Sequence, residues 1–170
     1  KVRDVYETFI DTSTLLPIKF NRDISEGDFF LQQKYKFFHE DTIVETQDSI
    51  FHISNHSQDM LSALFFARTF EKSELKKRRT FNIPIFMDNE NYNLEIEYLN
   101  DEVLKTEWGE VECMVFRPKM QEGRVFKEEE QMKVWITKDQ NKLLMKVETD
   151  VWAGKIRAIL IEYKNIKKPF

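Results

Sequence analysis

The sequence predicts a mainly β protein, in which a curved antiparallel sheet of about ten strands forms a half-barrel-like meander with one amphipathic α-helix packed across it. Three observations predict this fold. Apolar and polar residues alternate along most of the chain, polar turn sequences separate the alternating runs, and one long segment, Ser57 to Phe70, contains neither Gly nor Pro. Fifteen Phe, five Tyr and three Trp in a chain that is 33% charged fit strands with one buried and one exposed face.

The clearest predicted strand runs from Tyr92 to Tyr98, where apolar residues alternate with Asn93, Glu95 and Glu97. The same alternation predicts nine further strands, at 2–10, 15–20, 29–38, 42–53, 80–87, 103–116, 131–137, 143–151 and 155–166. Residues that tolerate tight-turn backbone angles separate them, at 25–28, 88–91, 100–101 and 138–141. These short connections favour antiparallel neighbours.

The predicted helix covers Ser57 to Phe70. Ser57 and Asp59 are suited to cap its N-terminus, and its apolar residues cover more than one stripe. We therefore expect it to lie in the concavity of the sheet, with Leu64 and Phe65 as central contacts.

A length of 170 residues without repeats or linkers predicts a single domain over residues 1–170. Since the chain begins at Lys1 without Met or a hydrophobic leader, we expect that a signal or lipoprotein leader, and also leading strands, precede it.

Composition excludes several classes of function. The four glycines are at least 14 positions apart, so neither a Rossmann fingerprint nor a P-loop is present. A net charge of −4 with both signs interspersed argues against a nucleic-acid partner. No apolar run approaches the ~20 residues of a transmembrane helix, and the single Cys113 allows no intrachain disulfide. No cofactor is expected.

Short motifs along nearly the whole chain resemble one family. They are Tyr6-Glu7-Thr8-Phe9-Ile10-Asp11 with Leu15-Leu16-Pro17 and Glu26-Gly27, then Gln58-Asp59-Met60-Leu61-Ser62-Ala63 with Arg68, then Trp135-Ile136-Thr137-Lys138-Asp139 with Gly154-Lys155-Ile156. In order and spacing they resemble the bacterial envelope family catalogued as domain of unknown function 3108.

This resemblance implies an exported protein of the Bacteroidetes type, located in the periplasm or associated with the outer membrane. The family is also distantly similar to lipoprotein carriers, in which an open half-barrel covers a helix and holds an acyl chain. A lipid or another envelope component is therefore the expected partner.

The aromatic excess predicts the candidate ligand site. An apolar cleft for a lipid or hydrophobic ligand would be formed by Phe37, Phe65, Phe66, Tyr92, Tyr98, Trp108 and Trp135. The alternative is that these rings simply fill the core, and alternation along strands favours that interpretation.

Other candidate chemistries are weaker than their structural alternatives. His52, His56 and Asp59 have metal-ligand spacing, but His52 falls in a strand and His56 before the helix, so they need not share a face. Cys113 alternates with valines, which predicts a core thiol. Lys76-Lys77-Arg78-Arg79 could bind an anion, although a connecting loop is the simpler interpretation.

The favoured function is a non-enzymatic binding or scaffold module of the cell envelope. The alternative is a hydrolase of an envelope polymer that uses a carboxylate pair, for which sequence selects no pair among the many acids, including Glu110, Glu112 and 128–130.

Overall fold

The computed structural model describes residues 2–120, 132–151 and 154–167. Within them lie eleven strands and two short helices. The strands form two antiparallel sheets, one of five strands and one of six. The predicted mainly β, antiparallel class is confirmed, with the strands divided between two sheets.

The chain forms two compact units. The first combines Lys1–Phe70 with Ile83–Asn93, and the second combines Glu71–Asn82 with Leu94–Phe170. The single-domain organisation stays a prediction.

The five-stranded sheet is a meander whose spatial order follows the chain. Its strands are β1 (Val5–Ile10), β2 (Pro17–Glu26), β3 (Phe29–Phe38), β4 (Ile43–Glu45) and β5 (Ile50–His52). The predicted strand over 42–53 is two short strands, because the backbone turns at 46–49, where Thr46 N donates to Ser49 O. The predicted turn at 25–28 is confirmed, with Gly27 at a φ of +62° that favours glycine.

The core of the first unit lies on one face of this sheet. Its buried residues are Phe20, Tyr35, Phe37, Val44, Ile53 and Phe86. The rings of Tyr35 and Phe86 meet edge to face, with centroids 5.2 Å apart. Since alternate residues of a strand point to opposite faces, the other face of the sheet turns toward solvent.

The predicted helix over 57–70 is shorter than expected. Helix α1 covers Ser62–Ala67, and a second helix, α2, covers Lys72–Lys77. Gln58 is extended instead, because it forms a parallel bridge with Ile85: Gln58 N donates to Pro84 O and Phe86 N donates to Gln58 O. Residues 60–61 then form a turn that leads into α1. Phe65 is 44% exposed, so the expectation of a central contact there was wrong.

The six-stranded sheet has the order β11-β10-β9-β8-β7-β6. Its strands are β6 (Thr80–Met87), β7 (Glu90–Thr106), β8 (Gly109–Met120), β9 (Met132–Thr137), β10 (Leu144–Val151) and β11 (Gly154–Ile159). The predicted turn at Asn100–Asp101 was wrong, since both residues lie inside β7. A β-bulge between Tyr98 and Asn100 shifts the register with β8 there, and the strand continues. The predicted strand over 103–116 instead spans the end of β7, a tight turn and most of β8.

The core of the second unit is centred on β8 and β9. Its buried residues are Val111, Cys113, Val115, Trp135 and Met145. Trp108 and Leu160 pack against this cluster.

Candidate functional site

Four of the seven predicted ligand residues lie in the first unit. Phe37 is a buried member of its core cluster. Phe65 is exposed beside Arg68, and the half-buried Phe66 packs its ring against Phe70. Tyr92 is half-buried, and its hydroxyl donates to Glu90 Oε2.

The other three lie in the second unit. Trp135 is a buried member of its core; its Nε1 donates to Glu102 Oε2, and the ammonium of Lys146 lies 4.1 Å from its ring centroid. Trp108 packs against the same core, while the ring of Tyr98 lies against that of Phe116 in a tilted arrangement. Phe37 and Trp135 thus serve as core residues. A ligand role for the seven side chains stays a prediction.

The His52, His56 and Asp59 set is not brought together. His52 is exposed on β5, His56 is exposed with a φ of +58°, and Asp59 is fully buried. In the part of the chain that the structure describes, no three His, Cys, Asp or Glu side chains are grouped to hold a metal ion.

The remaining sequence candidates have structural surroundings of their own. Burial raises the pKa of the Cys113 thiol to about 11. Glu112 is exposed and binds Lys138, while the acids at 128–130 lie outside the described residues. The basic run was predicted as a loop, but α2 extends through Lys77.

A buried polar cluster joins β1 to the start of α1. Asp59 Oδ2 accepts a hydrogen bond of 2.6 Å from Thr8 Oγ1, and Asp59 Oδ1 accepts from the backbone N–H groups of Leu61 and Ser62. Burial raises the pKa of this carboxyl, although these hydrogen bonds oppose the rise. Because Asp59 is fully buried, it holds the chain in place and is closed to a ligand from solvent.

The solvent face of the five-stranded sheet carries one transverse row of side chains that crosses every strand. We call it the lysine row; successive pairing partners across the sheet define it as Phe9, Lys19, Lys36, Glu45 and Ile50. Such partners lie on one face with Cβ atoms ~5 Å apart.

Two lysines occupy adjacent positions in this row. Lys19 and Lys36 are direct partners on β2 and β3, an arrangement that is destabilising for like charges. The only anion of the row, Glu45, lies 3.9 Å from Lys36 Nζ, and Lys19 Nζ lies over the Phe9 ring at 5.6 Å. Phe9 and Ile50, at the two ends, are 52% and 66% exposed. The row therefore has apolar ends and a cationic centre.

A groove of about 320 Å³ lies next to the lysine row on the same face. We call it the β1–β3 groove; its outward side chains form two further rows, Glu7–Asn21–Lys34 and Val5–Asp23–Gln32. Arg22 and Gln33 also line it, but their side chains point to the opposite face, where both donate to Asp88 Oδ1.

The β4–β5 turn braces one side of this groove. On β3, strand β4 pairs with residues 36–38. Next to residues 32–34, the side chain of Gln47 makes the backbone hydrogen bonds that a neighbouring strand would make. Its Oε1 accepts from Lys34 N at 2.9 Å and its Nε2 donates to Gln32 O at 3.2 Å. These two hydrogen bonds fix the backbone of Gln32 and Lys34.

The sequence patterns predicted neither the lysine row nor the β1–β3 groove. The predicted second strand ended at Phe20, because Asn21, Arg22 and Asp23 interrupt the apolar alternation. A signal was present: Lys19, Asn21 and Asp23 alternate as the polar face of a longer strand.

No helix in the described residues has the length and hydropathy required to cross a membrane. The two sheets and the lysine row together define a mainly antiparallel β protein, one sheet face of which is exposed, partly apolar and partly cationic.

The chain belongs to the family described as Protein of unknown function (DUF3108), whose model matches residues 1–161. No curated protein and no solved structure matches it.

Proposed function

We propose that this chain is an exported, non-enzymatic binding module of the cell envelope, and that the lysine row docks it on anionic lipid. The single observation that carries this proposal is the juxtaposition of Lys19 and Lys36 between exposed apolar residues on a sheet face. The export to the periplasm or outer membrane rests on the motif resemblance described above.

The charges of the row favour an anionic partner. Like charges on directly paired lysines are unfavourable in the free protein, and an anionic surface over the row would reduce that cost. Glu45 neutralises only one of the two, at a distance of 3.9 Å.

The apolar ends of the row favour a lipid over a small anion. Phe9, Phe38 and Ile50 are exposed on this face, and Phe38 follows Lys36 at the next outward position of β3. Large apolar side chains beside lysines are suited to the boundary between head groups and acyl chains, where the lysine stems also bury apolar surface.

Vesicle flotation tests this function. The chain should float with vesicles of phosphatidylglycerol mixed with phosphatidylcholine, and much less with pure phosphatidylcholine. Lys19→Gln/Lys36→Gln should weaken the partition by about thirtyfold, since each lysine near an anionic surface contributes about 1 kcal/mol.

A matched control separates this site from net charge. Lys105→Gln/Lys164→Gln removes the same charge from exposed positions outside the row and should leave flotation close to that of the unmodified chain. Equal losses in the two double variants, or equal flotation with both vesicle types, would refute the lysine row as a docking site.

The location is tested separately. The gene should encode a signal or lipoprotein leader upstream of Lys1, and cell fractionation should recover the protein in the periplasmic or outer-membrane fraction. Recovery in the cytoplasmic fraction would contradict export.

A second candidate function is hydrolysis of an envelope polymer. The observation in its favour is that Glu7 and Asp23 both line the β1–β3 groove, from diagonal positions on neighbouring strands. Diagonal neighbours have Cα atoms ~7–8 Å apart. Side-chain rotation can therefore bring the two carboxyl groups to a separation within the ~5–9.5 Å of glycosidase pairs.

Release of reducing ends from peptidoglycan measures this activity directly. Activity that is lost in both Glu7→Gln and Asp23→Asn would favour the hydrolase. An absence of release, or release that persists in both variants, would remove it.

A further inference from the structure

The β1–β3 groove contains both hydrogen-bond donors and hydrogen-bond acceptors. On the outward face it carries two carboxylates, Glu7 and Asp23, two amides, Asn21 and Gln32, and one ammonium, Lys34. These groups offer both donors and acceptors within about 320 Å³, a volume at the small end of ligand pockets.

This mixture of donors and acceptors favours some classes of ligand over others. An anion would meet two carboxylates, whereas a cation would meet Lys34 and only part of the acceptor set. An apolar ligand would bury carboxylates and amides without partners, which costs free energy. A neutral molecule rich in hydroxyl groups both donates and accepts, and so matches all five side chains.

The polar groups are already oriented in the free protein. Asn21 Nδ2 donates to Glu7 Oε2 at 3.2 Å, and Gln32 Nε2 donates to Asp23 Oδ2 at 3.0 Å. Groups held in place in this way lose little freedom on binding.

Exposed rings flank the groove at both ends. Phe30 is 71% exposed and pairs with Ser25, one row beyond Asp23 and Gln32. Phe9 belongs to the lysine row on the other side. Aromatic faces at the two ends of a hydroxyl-binding strip offer stacking surfaces for the apolar faces of sugar rings.

We propose that the β1–β3 groove is a binding site for a neutral saccharide, held through Glu7, Asn21, Asp23 and Gln32 with Phe9 and Phe30 at its ends. Its four polar residues are distinct from Lys19 and Lys36, Phe9 is common to the groove and the lysine row, and binding requires no bond cleavage.

Saturation-transfer difference NMR on the whole chain tests this proposal with two neutral probes, maltotetraose and chitotetraose. We expect signal from at least one of them, and chemical-shift changes at the backbone amides of Asn21 and Gln32. Asn21→Ala/Gln32→Ala should bind about tenfold more weakly, which corresponds to about 1.4 kcal/mol.

The control variant Asn55→Ala/Gln140→Ala removes the same two amides from exposed turns and should bind as the unmodified chain does. Circular dichroism checks that both variants are folded, and Glu7→Ala provides a second loss variant if the double variant is unfolded. A lack of signal from both probes at millimolar concentration, or equal binding by groove and control variants, would overturn the proposal.

The two proposals fail independently. Loss of saccharide binding with intact vesicle flotation in Asn21→Ala/Gln32→Ala supports two sites. Loss of flotation in that variant as well would contradict their separation.

Discussion

Thr8 Oγ1 donates a hydrogen bond of 2.6 Å to Asp59 Oδ2 and so links β1 to the start of α1 across 51 positions of the sequence. The acceptor is a fully buried carboxyl whose other oxygen accepts from the N–H groups of Leu61 and Ser62. A single side chain therefore fixes both the beginning of the helix and its attachment to the edge strand.

Substitutions at Asp59 should separate hydrogen bonding from charge. Asp59→Asn keeps an oxygen for Leu61 N and Ser62 N, and its amide can donate to Thr8 Oγ1. Asp59→Leu leaves three donors unpaired and should lower the free energy of unfolding by about 3 kcal/mol. Urea denaturation at neutral pH measures both, and comparable losses in the two variants would contradict this role.

The pH dependence of the same site has a defined sign. Because burial raises the pKa of Asp59 above its ordinary value of 3.8, the folded state binds this proton more tightly than the unfolded state does. The contribution of Asp59 to stability is therefore present below pH 3.8 and is lost as the pH rises through the raised pKa. Asp59→Asn should gain stability relative to the unmodified chain over that interval, and a constant difference would refute the shift.

Glu148 should have the opposite pH dependence. Hydrogen bonds from Lys146, Lys155 and Arg157 lower its pKa from 4.5 to about 2. Its contribution to stability is present above pH 4.5 and is lost as the pH falls toward 2. In acid denaturation, Glu148→Gln should flatten this loss, while Glu162→Gln, at an exposed ion pair, should not. Identical profiles for the two variants would contradict the network.

The loss of stability on truncating a helix side chain to Ala should increase with the burial of that side chain. Leu75 in α2 is 1% exposed and Phe65 in α1 is 44% exposed. Leu75→Ala should lower the free energy of unfolding by about 2–5 kcal/mol. Phe65→Ala should cost less than 1 kcal/mol, about the scale of surface substitutions. A larger loss at Phe65, measured by thermal or urea denaturation, would restore the central contact that sequence patterns predicted.

Cys113 should be chemically inert in the folded protein. Its side chain is fully buried, and burial raises the pKa of the thiol to about 11. Since the thiolate is the reactive form, a thiol reagent should label Cys113 only after denaturation. Rapid labelling under native conditions would show that the β8 core opens.

Alternation along the chain predicted most of the strands, since strands with one buried face impose period two. Tyr92 to Tyr98, for example, lies within β7. The pattern failed where polar residues have partners distant in sequence. Arg22 binds Asp88, which allows β2 to continue past Phe20, and the backbone of Gln58 pairs with Pro84 and Phe86, which delays the helix.

The candidate site was harder to predict than the fold. Lys19 and Lys36 become neighbours only through the register of β2 and β3, and the groove depends on the same pairing. Phe37 and Trp135 are each buried in the core of their own unit, which agrees with the alternative that these two rings fill the core. Composition reports how many rings a chain has, but pairing decides which face they occupy.

The most direct test of the lipid-docking function is an NMR titration of the labelled chain with monomeric dihexanoylphosphatidylglycerol. The proposal predicts that the largest amide shift changes fall on Phe9, Lys19, Lys36 and Ile50, and that the neutral phosphatidylcholine analogue produces smaller ones. An absence of shifts, or shifts centred on Phe65, Phe66 and Trp108 instead, would contradict it.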